Sequence, residues 1–321
     1  MSQGFLLGSA ILSAHATCTL GAVAVLPVRM QHGSIVMQVD INGQQANLIL
    51  DTGAFATVLT PEAASRLGVR MAQLDSDTQG VGGVQHTYRG TAAHMRVGNM
   101  KADGMELAGS QMLAASGPGG VDGLFGMNMM AAYDIDLDLA GQHAILFEAD
   151  GNCRTPTVAL AQPLYDVPLV SITHNRQADI DIVINGKPLR AVVDSGASST
   201  TMFRQAASRL GVDMRALHGP GHHEGRGIGP RPVAAMTHVF ETVSIGNLTI
   251  HNMPIEVIDQ ANTGINRVHV GSLLEDPSDG EAGGEDMLLG ADFMQKVHVW
   301  ISHSSQRMIM QYPPQPSVLP K

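Results

Sequence analysis

Two aspartates stand in near-identical settings, Asp51 in "LILDTGA" and Asp194 in "AVVDSGA". Each closes an apolar triplet of the kind that reads as a strand in a sheet core. Each is followed by a hydroxyl residue, Thr52 or Ser195, and then by a glycine, Gly53 or Gly196. A carboxylate at the exit of a buried strand is costly unless it is hydrogen-bonded, paired or used. A single Asp of this kind is an ordinary turn former, favoured for its bonds to the local backbone. Two of them allow different chemistry. Carboxyls held within about 3 Å of each other cannot both ionise comfortably, so they share a proton. The ionised member can take a proton from water while the protonated member donates to a carbonyl oxygen. That chemistry calls for no nucleophilic side chain, no metal and no cofactor. Thr52 and Ser195 would fix the carboxyls by bonding across to the opposite turn, and Gly53 and Gly196 would let the main chains approach closely.

The elements that must position these residues occur twice. "INGQQANLILDTGAFATVLTPEAASRLGVRM" (Ile41–Met71) lies over "INGKPLRAVVDSGASSTTMFRQAASRLGVDM" (Ile184–Met214) without a gap, with 15 of 31 positions identical. The chain is a duplicated fold. In each copy an Asn-Gly pair, Asn42-Gly43 or Asn185-Gly186, predicts a tight hairpin whose two central residues need φ > 0. The return strands around Leu48–Leu50 and Ala191–Val193 are predicted to be buried on both faces. A short helix follows, capped in the first copy by Thr60 with Pro61 in its first turn and ended by Gly68. The second copy keeps the ending at Gly211 and lacks the proline.

The echo continues more loosely downstream. The glycine-rich segments "GVGGV" (Gly80–Val84) and "GRGIG" (Gly225–Gly229) are each followed by alternating strands that share a "VGNM" or "IGNL" turn. "DGLFGMNMM" (Asp122–Met130) and "DMLLGADFM" (Asp286–Met294) each place a glycine after two large apolar residues, leading into a short helix and two closing strands. Predicted boundaries are an N-terminal segment at 1–27, a first lobe at 28–150, a linker at 151–165, a second lobe at 166–313 and a Pro-rich tail at 314–321. "SLLEDPSDGEAGGED" (Ser272–Asp286) reads as a solvated acidic loop.

Composition narrows the classes. Hydrophobic residues make up 44% of the 321, Gly is frequent at 36 and aromatics are scarce at 4%, which favours turns and short strands over long helices. A net charge of −10 without any cluster of Lys and Arg argues against a nucleic-acid partner. The 19 methionines sit in apolar positions as core filler. The first 26 residues lack Lys, Arg, Asp and Glu, and the apolar run Phe5–Leu12 precedes Ala14-His15-Ala16, in the manner of an export signal without its positive n-region; the alternative is a buried first strand. Export to a periplasmic or extracellular space is the expectation if that segment acts as a signal, and a cytoplasmic protein otherwise; nothing else approaches membrane-spanning length. Cys18 and Cys153 have no metal-ligand spacing and would be free to pair in an exported protein.

Taken together, the paired "DTGA" and "DSGA", the glycine-rich segments after them and the "GLFG" and "MLLG" motifs resemble the retropepsin-like aspartic proteases, in particular the bacterial form with two fused copies. The resemblance runs over Ser34–Phe147 and Asp179–Met310. It implies an all-β protein of two homologous lobes with short helices. The dyad would be Asp51 and Asp194, one from each lobe, hydrolysing peptide bonds of a substrate bound in extended form. Flaps would fall on Gly80, Val81, Gly82 and Gly83 and on Gly225, Gly227 and Gly229. With both motifs in one chain, a monomer with internal pseudo-twofold symmetry suffices. Two departures stand out. Tyr88 is not placed as the flap tyrosine of pepsin-type enzymes, and Asp122 and Asp286 occur near the place where retroviral members carry an arginine.

Two other readings compete. "HGPGHHEGRG" (His218–Gly227) gathers three His and a Glu, but without the His-Glu-x-x-His spacing of a catalytic zinc helix; it reads as a flap decoration. The rival from another class is a catalytically silent protein that grips an extended peptide by strand addition on the same fold. It would have no need of both carboxylates.

Overall fold

The computed structural model describes residues 20–81, 83–110, 120–148, 163–170, 177–220, 222–225, 231–259 and 285–313, with the backbone alone at 75–80, 84 and 85. The expectations for the export segment, Cys18, Cys153, Gly82, Gly227, Gly229, the Pro-rich tail and most of the linker and acidic loop lie outside these residues.

The first lobe opens with β1 (Gly21–Gln31), β2 (Ser34–Ile41) and β3 (Gln44–Leu50). After the Asp51 turn come β4 (Val58–Leu59) and α1 (Pro61–Arg66), then the long antiparallel strands β5 (Met71–Gly80), β6 (Gly83–Val97) and β7 (Met100–Gly109). β8 (Gly123–Phe125), α2 (Met127–Met130), β9 (Asp134–Asp138) and β10 (His143–Glu148) close it. The second lobe repeats the order with β11 (Leu164–Val170), β12 (Asp179–Ile184), β13 (Lys187–Val193), β14 (Thr201–Phe203), α3 (Arg204–Arg209) and a 3-10 turn at Met214–His218. β15 (His223–Gly225), β16 (Val233–Ile245), β17 (Leu248–Asp259), β18 (Met287–Leu289), α4 (Ala291–Met294), β19 (His298–Ser302) and β20 (Arg307–Gln311) complete it.

Local chemistry accounts for these elements. Asn42 (φ 53) and Gly43 (φ 80), like Asn185 (φ 48) and Gly186 (φ 79), sit in the left-handed region that a type I′ hairpin requires. Thr60 Oγ1 accepts from the Ala63 N–H and caps α1, with Pro61 following it. α3 begins on Phe203 without a side-chain cap. The return strands are less uniform than predicted: Leu48 and Leu50 are fully buried and Ile49 only partly, whereas Ala191, Val192 and Val193 are all buried.

The first lobe starts earlier than residue 28. Residues 21–27 pair antiparallel with 148–143 of β10, so Gly21 is already part of the sheet. Leu164 and Tyr165, assigned above to the linker, pair with Gln311 and Met310. Both segments belong to the closing sheet: the apolar run Gly21–Pro27 pairs along β10, and Leu164–Tyr165 opens an edge strand paired with β20.

That closing sheet joins the lobes. Its order is β1–β10–β9–β19–β20–β11, and β9 pairs with β19 across the boundary. Ile135 faces Ile301, Asp136 faces Trp300 and Leu137 faces Val299. Because Asp136 and Trp300 are equivalent positions of the two copies, the pseudo-twofold runs through this pair. Asp136 accepts from His298 Nε2, and Asp134 accepts from Ser302 and Ser304 across the same boundary, so the buried acids are satisfied by the opposite lobe.

One buried acid differs in this respect. Asp179 occupies the position that Val36 holds in the first copy, is 1% exposed, and neither carboxyl oxygen has a hydrogen-bond partner among the described residues. Burial, followed by repulsion from Glu285, raises its pKa to about 7. The folded state therefore holds a proton that the unfolded chain has released above about pH 4. Stability falls as pH rises through this window, and the full penalty is present above pH 7. Asp179→Val should raise the urea unfolding midpoint at pH 8 by an amount worth about 2–4 kcal/mol, and by much less at pH 4.5.

Candidate active site

Asp51 and Asp194 leave the ends of β3 and β13 as equivalent turns and meet at the lobe boundary. The reason lies in the pairing of each strand. β3 runs parallel to β8 and β13 parallel to β18, so the backbone N–H of Asp51 bonds to Phe125 O at 3.0 Å and that of Asp194 to Leu289 O at 3.0 Å. The chain is then forced out of the sheet at the carboxylate. Asp51 Oδ1 accepts from the N–H groups of Gly53 (3.0 Å) and Ala54 (2.8 Å), and Asp194 Oδ1 accepts from those of Gly196 (2.9 Å) and Ala197 (3.1 Å).

The hydroxyls behave as the sequence suggested. Thr52 Oγ1 donates to Val193 O at 2.6 Å and accepts from the Ser195 N–H at 3.0 Å. Ser195 Oγ donates to Leu50 O at 2.7 Å and accepts from the Thr52 N–H at 3.0 Å. Four hydrogen bonds thus tie the turns together, all buried and all crossing between lobes. The glycines lie where the turns touch: a Cβ on Gly53 would overlap the Asp194 carboxyl, and one on Gly196 would overlap that of Asp51.

Each carboxyl lies against the glycine of the opposite turn, and both are nearly covered, with Asp51 7% and Asp194 5% exposed. Burial is the main cause of a pKa well above the ordinary carboxylate range at Asp51; the neighbouring Asp194 adds to it, and the Gly53 and Ala54 N–H groups pull the other way. Burial also raises Asp194, against the N–H groups of Ala197 and Gly196. Both shifts favour the protonated form of a buried carboxyl.

Three layers of support were missed in the sequence. Thr57 bonds through its N–H and hydroxyl to Asn128 Oδ1, and its hydroxyl oxygen accepts from the Gly126 N–H. Thr200 does the same with Asp292 and Gly290. Asp122 receives the Asn47 N–H and pairs with Arg66 at 2.6 Å, while Asp286 receives the Arg190 N–H and pairs with Arg209. The two aspartates that departed from the retroviral pattern are thus met by an arginine from the helix, legible in hindsight from the repeated Ala-Ala-Ser-Arg. Gln177, finally, donates across the boundary to Gly53 O, and nothing in its local sequence marked it.

Of the residues expected to form flaps, Gly80 and Gly83 pair at the end of the β5–β6 hairpin, and Val81 at its turn packs against a cluster of the other lobe formed by Val192, Phe203, Val233, Ala235, Ile258 and Leu288. Ala197 of the Asp194 turn packs on the same cluster. Gly225 ends β15 opposite Val233. Tyr88 lies within β6 opposite Gly109, away from the hairpin end. The histidines of the 218–227 loop point to separate partners: His218 to Asp259 at 3.6 Å, His222 to Gly219 O at 2.8 Å, and His223 to Glu256. No group of three or more His, Cys, Asp or Glu among the described residues could hold a metal ion.

If the reciprocal hydroxyl bonds hold the turns together, Thr52→Ala with Ser195→Ala should lower stability by about 2–5 kcal/mol, since four buried backbone groups lose their partners. Thr52→Ser should retain most of it. Thermal unfolding of the three proteins checks this.

A search of curated proteins finds no match. Among solved structures, the chain is similar to the aspartic proteinase from Irpex lacteus, with 13% identity, a TM-score of 0.49, and coverage of 92% of this chain and 98% of that one. The model of the aspartyl protease family matches residues 37–129 and 180–293, once in each lobe and with an Asp-Thr/Ser-Gly turn inside each match. By this double match over most of its length, the chain belongs to the aspartyl protease family.

Proposed function

We propose that the protein is an aspartic endopeptidase of the retropepsin-like form with two fused copies, in which Asp51 and Asp194 activate a water molecule between them. The observation that carries this reading is the pair of buried carboxyls, each held by two N–H groups of its own turn, on turns that are tied together by the hydroxyls of the two lobes. Such pre-organisation places donor and acceptor before substrate arrives, which is where most of a catalytic gain originates.

In this mechanism the ionised carboxylate takes a proton from water as the oxygen attacks the peptide carbonyl carbon. The protonated carboxyl donates to the carbonyl oxygen, giving a neutral tetrahedral diol. Collapse returns a proton to the leaving nitrogen and restores the single shared proton. The two groups act as one titrating unit, so neither is assigned the base alone. The Val81 hairpin would lie over an extended substrate, whose backbone can pair with strand edges on either side. Both motifs are in one chain, so the active unit needs no second copy.

The mechanism sets the pH profile. Activity requires one proton on the pair, rising as the first is lost and falling as the second is lost. Burial raises both groups, so the alkaline limb should lie above the ordinary carboxylate value of about 4. Cleavage of a denatured, unbiased peptide mixture between about pH 3 and 8 should follow this bell and be indifferent to chelators. Asp51→Asn and Asp194→Asn should each lower it by at least about a thousandfold. Cleavage that survives either substitution would overturn the mechanism, and a folded wild type that cuts nothing would point to the peptide-binding alternative.

A further inference from the structure

The two copies are alike where they hold the dyad and unlike beside it. In the first lobe the sheet face next to the Asp51 turn is a small apolar patch of Ala54, Val58, Ala108 and Leu124, with Ala56 packed on it. Sequence alignment and strand register give the counterparts in the second lobe. Ala54 and Leu124 correspond to Ala197 and Leu288, Ala56 to Ser199, and Val58 to Thr201. β4 pairs Val58 with Ala108, as β14 pairs Thr201 with Glu256, so Ala108 corresponds to Glu256. An apolar surface on one side of the dyad is therefore matched on the other by one that keeps Ala197 and Leu288 but carries Ser199, Thr201 and the Glu256 carboxylate.

Glu256 lies on the sheet face that receives the Val81 hairpin and the Asp194 turn. Along β17 the alternate residues Ile255 and Val257 enter the main core, while Ile258, two residues from Glu256 and on its face, belongs to the cluster that receives Val81 and Ala197. The carboxylate is held in place from two sides. Ser199 Oγ, in the loop after the Asp194 turn, donates to Oε2 at 2.6 Å. His223, on the strand that leads to the second glycine-rich segment and opposite Ala235, bonds to Oε1. These contacts use two of the four lone-pair directions of a carboxylate. The Glu256 side chain keeps 23% of its surface exposed and that of His223 keeps 46%, so the pair is not sealed from solvent. A charge beside an apolar cluster is costly, and the first lobe, with Ala108 there, shows that the fold does not need it.

We propose that Glu256, positioned by Ser199 and His223, forms a subsite on the second lobe's side of the cleft that takes a basic side chain of the peptide. The equivalent subsite of the first lobe takes an apolar one. This rests on the reading given under Proposed function, in which an extended substrate lies beneath the Val81 hairpin. Because the dyad is symmetric and these walls are not, the protein would read the direction of its substrate, with Lys or Arg at one position on one side of the scissile bond.

The test is a positional-scanning peptide library with Lys or norleucine fixed at each position in turn, cut by wild type and by Glu256→Gln. The expected result is a preference for Lys at a single position of about tenfold in kcat/KM, as a charge-assisted hydrogen bond provides. In Glu256→Gln this preference should fall to within about twofold, with norleucine peptides cut as well as by wild type. The double variant Ser199→Ala, Glu256→Ala, which copies the alanine pair of the first lobe, should give the same profile and guards against misfolding of the single one. Binding of the same peptides to Asp51→Asn, read by fluorescence anisotropy, separates the subsite from turnover. Lys preference in binding that disappears in Asp51→Asn, Glu256→Gln would support the subsite even if wild type cut nothing, in which case only the hydrolytic reading falls. A flat profile in wild type, or a Lys preference that survives loss of Glu256, would overturn the proposal. So would a wild type that cuts nothing while Asp51→Asn binds Lys and norleucine peptides equally or not at all.

Discussion

The site depends on one reciprocal exchange, in which each active-site turn is held by the hydroxyl of the other. Thr52 and Ser195 each donate to a carbonyl at the end of the opposite strand and accept the N–H of the other turn. Neither lobe can satisfy these buried groups alone, and an unsatisfied buried N–H or carbonyl costs about 1–3 kcal/mol. The lobes are thus docked through the same atoms that set the carboxyl positions. Any slip between them would break hydrogen bonds before it separated Asp51 from Asp194. The raised carboxyl pKa values are a consequence, because docking expels water from around two acids.

The closing sheet serves the same end from the far side of the molecule. Pairing of β9 with β19 about Asp136 and Trp300 gives the lobes a second point of registry. Two such points fix a relative orientation where one would leave a hinge. The acids in this sheet find donors across the boundary, Asp134 with Ser302 and Ser304 and Asp136 with His298, so removing either side would leave a buried charge unpaired. Asp179 shows the opposite situation, a buried acid standing where the other copy has Val36.

Divergence between the copies follows a simple rule. Positions that bear directly on the turns remain functionally equivalent: Thr57 and Thr200, Asn128 and Asp292, and the Arg66–Asp122 and Arg209–Asp286 pairs. These groups satisfy backbone atoms whose geometry is common to both lobes, so the same chemistry is needed twice. Positions on the sheet face beside the turns are not bound by that requirement. There Ala56 and Ala108 of one copy stand against Ser199 and Glu256 of the other, with His223 bonded to Glu256, and both turns keep the same geometry.

The sequence by itself determined a great deal here, because repetition and local chemistry are both encoded in one dimension. The Asn-Gly hairpins, the Thr60 cap, the glycine-ended helices, the duplication and the pairing of Asp51 with Asp194 could all be read from residue types at fixed spacing. What it left open were contacts between residues far apart in the chain and without a shared pattern. Gln177 reaching Gly53, the His298–Asp136 bond, the early start of β1 at Gly21 and the Glu256–His223–Ser199 network join segments with nothing in common locally. Hydrogen bonds of this kind depend on where a strand passes in space and on which atoms are shut off from water there. That placement is decided only when both lobes have packed together.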